Sequence, residues 1–387
     1  DVFYVAFSGG KDSVATLDLV QRALPHNEFK VLFGDTGMEF PDTYKTVDVI
    51  HDLCSDNKIE FIVAKSDFSP DYTWSKFGPP ATVNRWCCSV HKTSPQVTAL
   101  RRILGKPDFT GMAFVGVRGS ESLSRNEYDF ISLGEKHKGQ YSCNPILEWN
   151  SAELYMYIYM RNLYLNEAYK KGNRRAGCLV CPRAAERNEY MARVCYPNEF
   201  NHLLDAISSV YKENFPSEKK LDQFMANGGW KARKNGRDIS IPVNYEEKND
   251  KELGHIYVTN PKTDWKEWIK TIGVLRTSDS PYIINFRGNE YSFELSQVDN
   301  KIEVIYNLEL TKSATLFIKL LKNVFRKVAC CIGCRECEAD CPYGILKIKD
   351  GRVMVSDGCH HCAQCHKVEK GCLVYKSLEK PKGGNKM

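Results

Sequence analysis

Residues 2–13 read Val2-Phe3-Tyr4-Val5-Ala6-Phe7-Ser8-Gly9-Gly10-Lys11-Asp12-Ser13. The opening apolar and aromatic run predicts a buried strand. Val14, Leu17, Leu19, Val20 and Leu24 then recur with helical spacing. A glycine turn therefore joins the end of a strand to the first turn of a helix. The first N–H groups of a helix have no partner within it, and the helix dipole adds positive potential there. Glycine lets the backbone approach an anion closely. Strand, Ser-Gly-Gly-Lys-Asp-Ser turn and helix together predict a phosphate cradle with a lysine beside it.

Working outward, the pattern repeats. Phe29-Lys30-Val31-Leu32-Phe33 reads as a second buried strand and runs into Gly34-Asp35-Thr36-Gly37-Met38-Glu39-Phe40-Pro41. A third strand is expected from Ile59 to Val63 after a helix. Strands alternating with helices predict an α/β fold, a parallel sheet with helices on both faces. Ligands bind such sheets beyond the C-terminal strand ends, which places Asp35 beside the nucleotide. A further strand at Phe114 feeds the loop Val115 to Arg125, with Arg118, Ser120, Ser122 and Arg125. That loop reads as a second anion site at the same sheet edge.

Composition sets the outer bounds. A chain of 387 residues, 42% apolar and 26% charged, should form two or three domains with proper cores. It contains no apolar run long enough to span a membrane. The first strand begins without a charged leader, so no secretory signal is expected. The absence of an initiator Met suggests a trimmed chain or residues upstream. A net charge of +6 permits nucleic acid as a partner without arguing for it. Sixteen cysteines are many, and they fall in tight groups. That usage predicts a reducing cytoplasm and metal or cluster ligation rather than a disulfide framework.

Two pairs, Cys87-Cys88 and Cys178-Leu179-Val180-Cys181, could together offer four thiolates, suited to a [4Fe-4S] cluster or to zinc. Near the C-terminus Cys331, Cys334, Cys337 and Cys341 are followed by Pro342, and Cys359, Cys362, Cys365 and Cys372 form a second run. The last gap in that run is longer than its counterpart. His360, His361 and His366 are read as neighbours rather than ligands, and Cys330 as no ligand.

Ser8 to Ser13 resembles the PP-loop of ATP pyrophosphatases and differs from the Walker A loop. That family binds the pyrophosphate of ATP and splits ATP to AMP and pyrophosphate while adenylating a substrate. Its sulfonucleotide reductase branch holds an adenosine phosphosulfate in the same loop. Asp35 to Thr43 resembles the Asp-Thr-Gly-x-x-Phe-Pro-Glu-Thr segment of phosphoadenosine phosphosulfate (PAPS) reductases, with Asp42 replacing Glu. Gly116 to Arg125 resembles that family's Gly-x-Arg-x-x-x-Ser-x-x-Arg loop, with Glu121 where many relatives have Gln. Tandem Cys with a distant Cys-x-x-Cys is similar to the [4Fe-4S] arrangement of adenylyl sulfate reductases. The likeness covers roughly residues 2 to 200. It implies an adenine nucleotide alpha hydrolase-like sheet that takes ATP with Mg²⁺. It implies nucleotide contacts at Ser8, Gly9, Gly10, Lys11, Asp12, Ser13, Asp35, Arg118 and Arg125, with Lys11, Asp12 and Asp35 catalytic. It also implies an inner [4Fe-4S] cluster on Cys87, Cys88, Cys178 and Cys181.

The C-terminal runs resemble bacterial two-cluster ferredoxins, in which the fourth Cys of each run serves the other cluster. The resemblance implies Cys331, Cys334, Cys337 and Cys372 for one [4Fe-4S] cluster. It implies Cys359, Cys362, Cys365 and Cys341 for the other, making three clusters in all.

The expected domains are a nucleotide-binding domain over 1–200, a helical and basic linker region over 201–255, a small α+β module over 256–328, a di-cluster ferredoxin-like domain over 329–375 and a basic tail over 376–387. Gly228 to Arg237 carries four cations around Trp230. It suits either a nucleic-acid backbone with a stacked base or a solvated linker. Tyr282–Phe286, Tyr291–Leu295 and Ile302–Tyr306 predict a three-stranded meander with turns at Gly288-Asn289 and Asp299-Asn300. Residues 311 to 328 predict an amphipathic helix.

Three functions fit. One is an iron–sulfur ATP pyrophosphatase that adenylates an acceptor for sulfur insertion. This chain resembles DNA phosphorothioation enzymes in pairing a reductase-like PP-loop domain with an iron–sulfur cluster. Expected partners are a cysteine desulfurase, a nucleic-acid acceptor (DNA before tRNA) and an electron donor, with no membrane. The second is a sulfonucleotide reductase making sulfite, which uses a cysteine in a Glu-Cys-Gly-x-His context; no such sequence occurs here. The third is an electron-transfer or scaffold subunit. The PP-loop, Asp35 and the arginine loop argue against the third, and the missing reductase cysteine together with the two ferredoxin-like clusters favours the first.

Overall fold

The computed structural model describes residues 2–133, 140–308 and 311–381. The chain divides into two compact units, residues 1–71 with 87–206 and residues 72–86 with 207–387.

The first unit holds β1 (Val2–Phe7), β2 (Phe29–Asp35), β3 (Glu60–Lys65), β4 (Gly111–Phe114), β5 (Ile131–Leu133) and β6 (Gln140–Cys143). They form one sheet in the order β3-β2-β1-β4-β6-β5, parallel except for β5. Alternation along β1 builds two layers. Val5 and Phe7 face Val14 and Leu17 of α1 (Lys11–Ala23) and Val47 and Ile50 of α2 (Pro41–Asp56). Val2 and Tyr4 face the opposite side with Ala99 and Leu100 of α3 (Ser94–Leu104). The expected parallel α/β sheet with helices on both faces is therefore present. β5 and β6 escape a sequence reading because neither carries a long apolar run. The chain winds from β1 to β2 and β3, then returns to β4 on the other side of β1. That reversal opens a crevice at the C-terminal ends of β1 and β4.

The second unit is built on an antiparallel sheet. It comprises β7 (Tyr245–Asn249), β8 (Leu253–Thr259), β9 (Val274–Leu275), β10 (Tyr282–Phe286), β11 (Asn289–Val298) and β12 (Lys301–Asn307), ordered β7-β8-β12-β11-β10-β9. The expected meander is its β10–β12 portion. Asp299-Asn300 turns as expected. The other turn is Arg287-Gly288, one residue earlier, because Phe286 pairs with Asn289. Both turn residues have positive φ, 52° and 83°, as a tight hairpin turn demands.

Several expected boundaries do not hold. Residues 201–255 are not all linker, since Tyr245 to Asn249 form an edge strand. Tyr245 is buried while Glu246, Lys248 and Asn249 are exposed, the polarity of a strand with one wet face. The module of 256–328 and the cysteine-rich region of 329–375 lie in one compact unit. Here α4 (Ser151–Met160) belongs to the first unit, and α5 (Trp265–Ile269) and α6 (Lys312–Cys330) to the second. The tail from 376 begins inside α7 (Leu373–Leu378), where Val374, Tyr375, Ser377 and Leu378 are buried; residues 382–387 lie outside the described residues. The expected domain of 1–200 loses residues 72–86 to the second unit, where Phe77 stacks on Trp86 with centroids 4.0 Å apart.

Two residues of the basic segment Gly228 to Arg237 differ from both of its readings, while Lys234 and Arg237 are exposed. Trp230 is 1% exposed and Arg233 2%, so neither is presented to a base or a phosphate. Arg233 donates to the carbonyls of Phe77, Pro79 and Ser377 and to the Ser377 hydroxyl. It is an internal pin. Among the described residues no helix is long and apolar enough to cross a membrane.

Candidate functional site

The turn after β1 is tied from within and from both flanks. The Ser8 N–H donates to Ser13 Oγ at 3.2 Å, and the Ser13 hydroxyl donates to the Gly10 carbonyl at 2.8 Å. Gly9 has φ of 69°, and a Cβ there would stand 2.7 Å from Thr43 Cγ2. Asn166 Nδ2 donates to the Gly9 carbonyl at 2.9 Å and to Thr43 Oγ1 at 3.1 Å. These contacts fix the shape of the loop.

Cations gather over it. Lys11 is 5% exposed. Its N–H donates to the Tyr169 hydroxyl at 3.2 Å, its Nζ lies 5.0 Å from the Tyr169 ring, and Nζ pairs with Asp12 Oδ2 at 2.9 Å. From the loop after β4, Arg118 Nε donates to Asp12 Oδ1 at 2.6 Å. Arg118 Nη1 reaches the hydroxyls of Ser120 and Ser151, each at 3.2 Å. Gly116 makes this approach possible, because a Cβ there would come 2.7 Å from the Asp12 carbonyl group. Burial lowers the Lys11 pKa, with Asp12 opposing and Arg118 and Arg175 adding to the fall. Burial would raise the Asp12 carboxyl, yet Lys11 and Arg118 hold it below the usual carboxylate range. Burial lowers the Arg125 pKa, with Arg175 next among the causes. Arg125 pairs with Glu121. Lys11, Arg118, Arg125 and Arg175 therefore face two carboxylates, a surplus of positive charge in the crevice suited to an anion.

Asp35 stands at the end of β2, engaged with the chain's own groups. Its Oδ1 accepts from the Gly37 N–H and the Tyr44 hydroxyl, each at 2.8 Å, and its Oδ2 pairs with Lys65 at 2.9 Å. This carboxylate shapes the turn. Asp42 is likewise held by Lys171 at 2.5 Å and by the Tyr196 hydroxyl at 2.7 Å. Sequence reasoning missed Tyr169, Asn166, Arg175 and Ser151 as parts of the cradle. The aromatic and basic run from Tyr169 to Arg175 was the available signal.

The cysteines fall into three sets. Cys87 is pushed well above the usual thiol range by its hydrogen bond with Cys88, by burial and by neighbouring Cys178 and Cys181. A π-helical turn, Ser89–Thr93, follows the tandem pair. Burial also raises Cys178, beside Glu39. Glu39, absent from the sequence reading of the site, accepts from the Thr36 hydroxyl at 2.9 Å and lies 3.9 Å from Cys178 Sγ. Burial raises its carboxyl above the usual range.

The two C-terminal runs repeat one backbone shape. Gly333 and His361 hold matching positions at φ of 80° and 48°, and Arg335 and Ala363 match at 62° and 57°. These turns bring peptide N–H groups onto sulfur, from Gly333 to Cys331, Glu336 to Cys334 and His361 to Cys359. Cys372 is a close charge neighbour of Cys331, Cys334 and Cys337. Cys341 is one of Cys359 and Cys365. Cys341, Cys359, Cys362 and Cys365 also line one small cavity. Four sulfur donors per set, with N–H groups turned on them, form a donor set that fits an iron–sulfur cluster. Among the described residues no group of three or more His, Cys, Asp or Glu is placed to hold a single metal ion.

Residues 3–184 match the family model described as phosphoadenosine phosphosulfate reductase domain. Two uncharacterized proteins of Methanocaldococcus jannaschii are 29% and 32% identical over 57% and 59% of this chain. Those matches cover 54% and 45% of the two proteins, so the chain spans about half the length of these relatives. An adenosine 5'-phosphosulfate reductase of Geobacillus sp. is 27% identical over 48% of this chain and 74% of its own length. A phosphoadenylyl-sulfate (PAPS) reductase structure from Candida auris aligns at 20% identity with a TM-score of 0.35, covering 46% of this chain and 81% of that one. Residues 3–184, which include the glycine turn after β1, the Asp35 turn after β2 and the Arg118 loop after β4, are similar to the phosphoadenosine phosphosulfate reductase domain.

Proposed function

We propose that the chain is a PP-loop enzyme of sulfur chemistry that cleaves ATP between the α and β phosphates and adenylates an acceptor for sulfur insertion. The observation that carries this reading is the cradle itself. A preshaped turn at a helix start faces Lys11, Arg118, Arg125 and Arg175 across the switch point of a parallel sheet. An acceptor oxygen attacks the α phosphorus, the α–β bridging bond breaks and pyrophosphate leaves; Mg²⁺ bound with the nucleotide would share its charge. The cations of the crevice stabilise the negative charge that develops on the phosphate oxygens. Sulfide or a persulfide then forms a bond to the activated atom and AMP departs. Iron–sulfur clusters held by the three cysteine sets would relay, one at a time, two electrons from an electron donor, cleaving the S–S bond of a persulfide adduct to leave the thiolated product and a thiol.

On this reading the sulfur comes from a cysteine desulfurase and the acceptor is nucleic acid, DNA before tRNA. That acceptor rests on the resemblance to phosphorothioation enzymes. The buried Trp230 and Arg233 lend it nothing. A second reading, sulfonucleotide reduction, is favoured by the names of several relatives, among them the Geobacillus protein. The test is whether the reduced protein forms AMP and pyrophosphate from ATP when offered an acceptor and a sulfur source, or sulfite from an adenosine phosphosulfate.

A further inference from the structure

The C-terminal turn of α6 carries a cation into the heart of the second unit. Lys327 is 1% exposed. Its Nζ donates to Cys337 Sγ at 2.7 Å and to the Cys365 carbonyl at 3.0 Å, and lies 4.8 Å from the Trp268 ring. Its partners are sulfur, carbonyl and indole rather than a carboxylate. Cys337 belongs to one crossed set and Cys365 to the other, so this ammonium stands between the two. A buried ammonium without a counter-charge is costly. Here the nearest counter-charge is the Cys337 sulfur, 2.7 Å from Nζ.

We propose that Lys327 is a resident countercation shared by the two C-terminal iron–sulfur sites, placed to raise their reduction potentials. The proposal rests on the cluster reading of the eight cysteines. Each site gains negative charge when it takes an electron, so a fixed cation beside it favours the reduced form. Net charge and hydrogen bonds to sulfur are among the factors that set such potentials. The direct N–H···S contact falls on Cys337, so the site of Cys331, Cys334, Cys337 and Cys372 feels Lys327 more strongly. The other site meets the charge through the Cys365 peptide.

The experiment uses the full chain, reconstituted anaerobically, with iron and sulfide measured first. Potentiometric titration followed by electron paramagnetic resonance then compares wild type with Lys327→Gln and Lys327→Arg. Glutamine keeps an N–H donor and removes the charge. It should lower the Cys337-site midpoint by a factor of about ten in the reduction equilibrium, about 59 mV for one electron, and the other site by less. Full iron with unchanged midpoints would overturn the proposal while leaving the clusters standing. Wild type that takes up no iron would overturn the cluster reading and this proposal with it. Lys327→Arg keeps a cation and should hold both midpoints near those of wild type. Where Lys327→Gln does not load, Lys327→Met carries the test, because it fills similar space without the charge; a loaded Lys327→Met with unchanged midpoints overturns the proposal. A lysine that only packed would leave both midpoints alone.

Discussion

Arg118 donates from Nε to Asp12 Oδ1 at 2.6 Å, joining residues 106 apart in the chain across the gap between β1 and β4. The contact ties the arginine loop to the glycine turn. A charge-assisted hydrogen bond to phosphate contributes roughly 1.5–3 kcal/mol. Lys11→Ala and Arg118→Ala should each weaken ATP binding by about 10- to 150-fold, read by titration calorimetry. Asp12→Ala should weaken it as well, because Lys11 and Arg118 lose the carboxylate that aligns them. Iron content should not change in any of the three. Unaltered ATP affinity in all three would place the nucleotide elsewhere.

The crossed pairing of the cysteine runs makes a sharper statement than iron content alone. Three loaded clusters give roughly twelve irons per chain. Cys341→Ser should remove about four and alter the resonance of the set holding Cys359, Cys362 and Cys365, although Cys341 lies in the other run. Cys372→Ser should do the converse, and Cys330→Ser should leave both sets intact. Loss confined to the mutated residue's own run would contradict the crossing.

Glu247 supplies a pH dependence. Burial would raise its carboxyl, but the Tyr245 hydroxyl, Lys322 and Arg326 outweigh burial and hold it at about 2. The ion pairs are 2.9 Å to Lys322 and 2.5 Å to Arg326. A folded-state pKa below the ordinary carboxylate value means that its stabilisation is fully present above roughly pH 4.5 and lost as pH falls toward 2. Glu247→Gln should therefore lower the melting temperature at pH 7 and flatten the acid limb of the stability curve between those values. An unchanged acid limb would show that the pair contributes nothing.

Arg233 is the second structural test. Arg233→Met leaves the carbonyls of Pro79 and Ser377 without the donor that Arg233 supplies, while the Phe77 carbonyl keeps the Ser377 hydroxyl at 2.6 Å; the cost is about 1–3 kcal/mol for each buried group that finds no other partner. The variant should unfold at lower urea concentration and show no specific loss in nucleic-acid binding. Normal stability with weakened binding would instead return this segment to the surface role its composition suggests.

The candidate nucleotide site was legible because its chemistry is local. Ser8 to Ser13, Asp35 and the Arg118 loop are each short motifs at strand ends, and alternation of strand and helix placed them on one edge. The unread parts depend on distant contacts. Tyr245 to Asn249 reads as linker because only Tyr245 faces the core, and its partner Arg326 lies 79 residues from Glu247. Trp230 and Arg233 look like a nucleic-acid patch because composition does not report burial. Lys327 sits on a helix whose sequence shows only amphipathicity. Its role appears once the fold brings Cys337 and Cys365 against it. The pairing of Asp12 with Arg118 needed the chain reversal at β4, which no spacing in the sequence encodes.

The most direct test incubates the reduced, cluster-loaded protein with labelled ATP, and separately with each labelled adenosine phosphosulfate, in the presence of nucleic acid and a desulfurase sulfur source. Pyrophosphate and sulfite are then assayed. The account predicts AMP and pyrophosphate from ATP, dependent on acceptor and abolished by Lys11→Ala, with little sulfite from either phosphosulfate. Steady sulfite formation from either phosphosulfate, with no pyrophosphate from ATP under any acceptor, would contradict it.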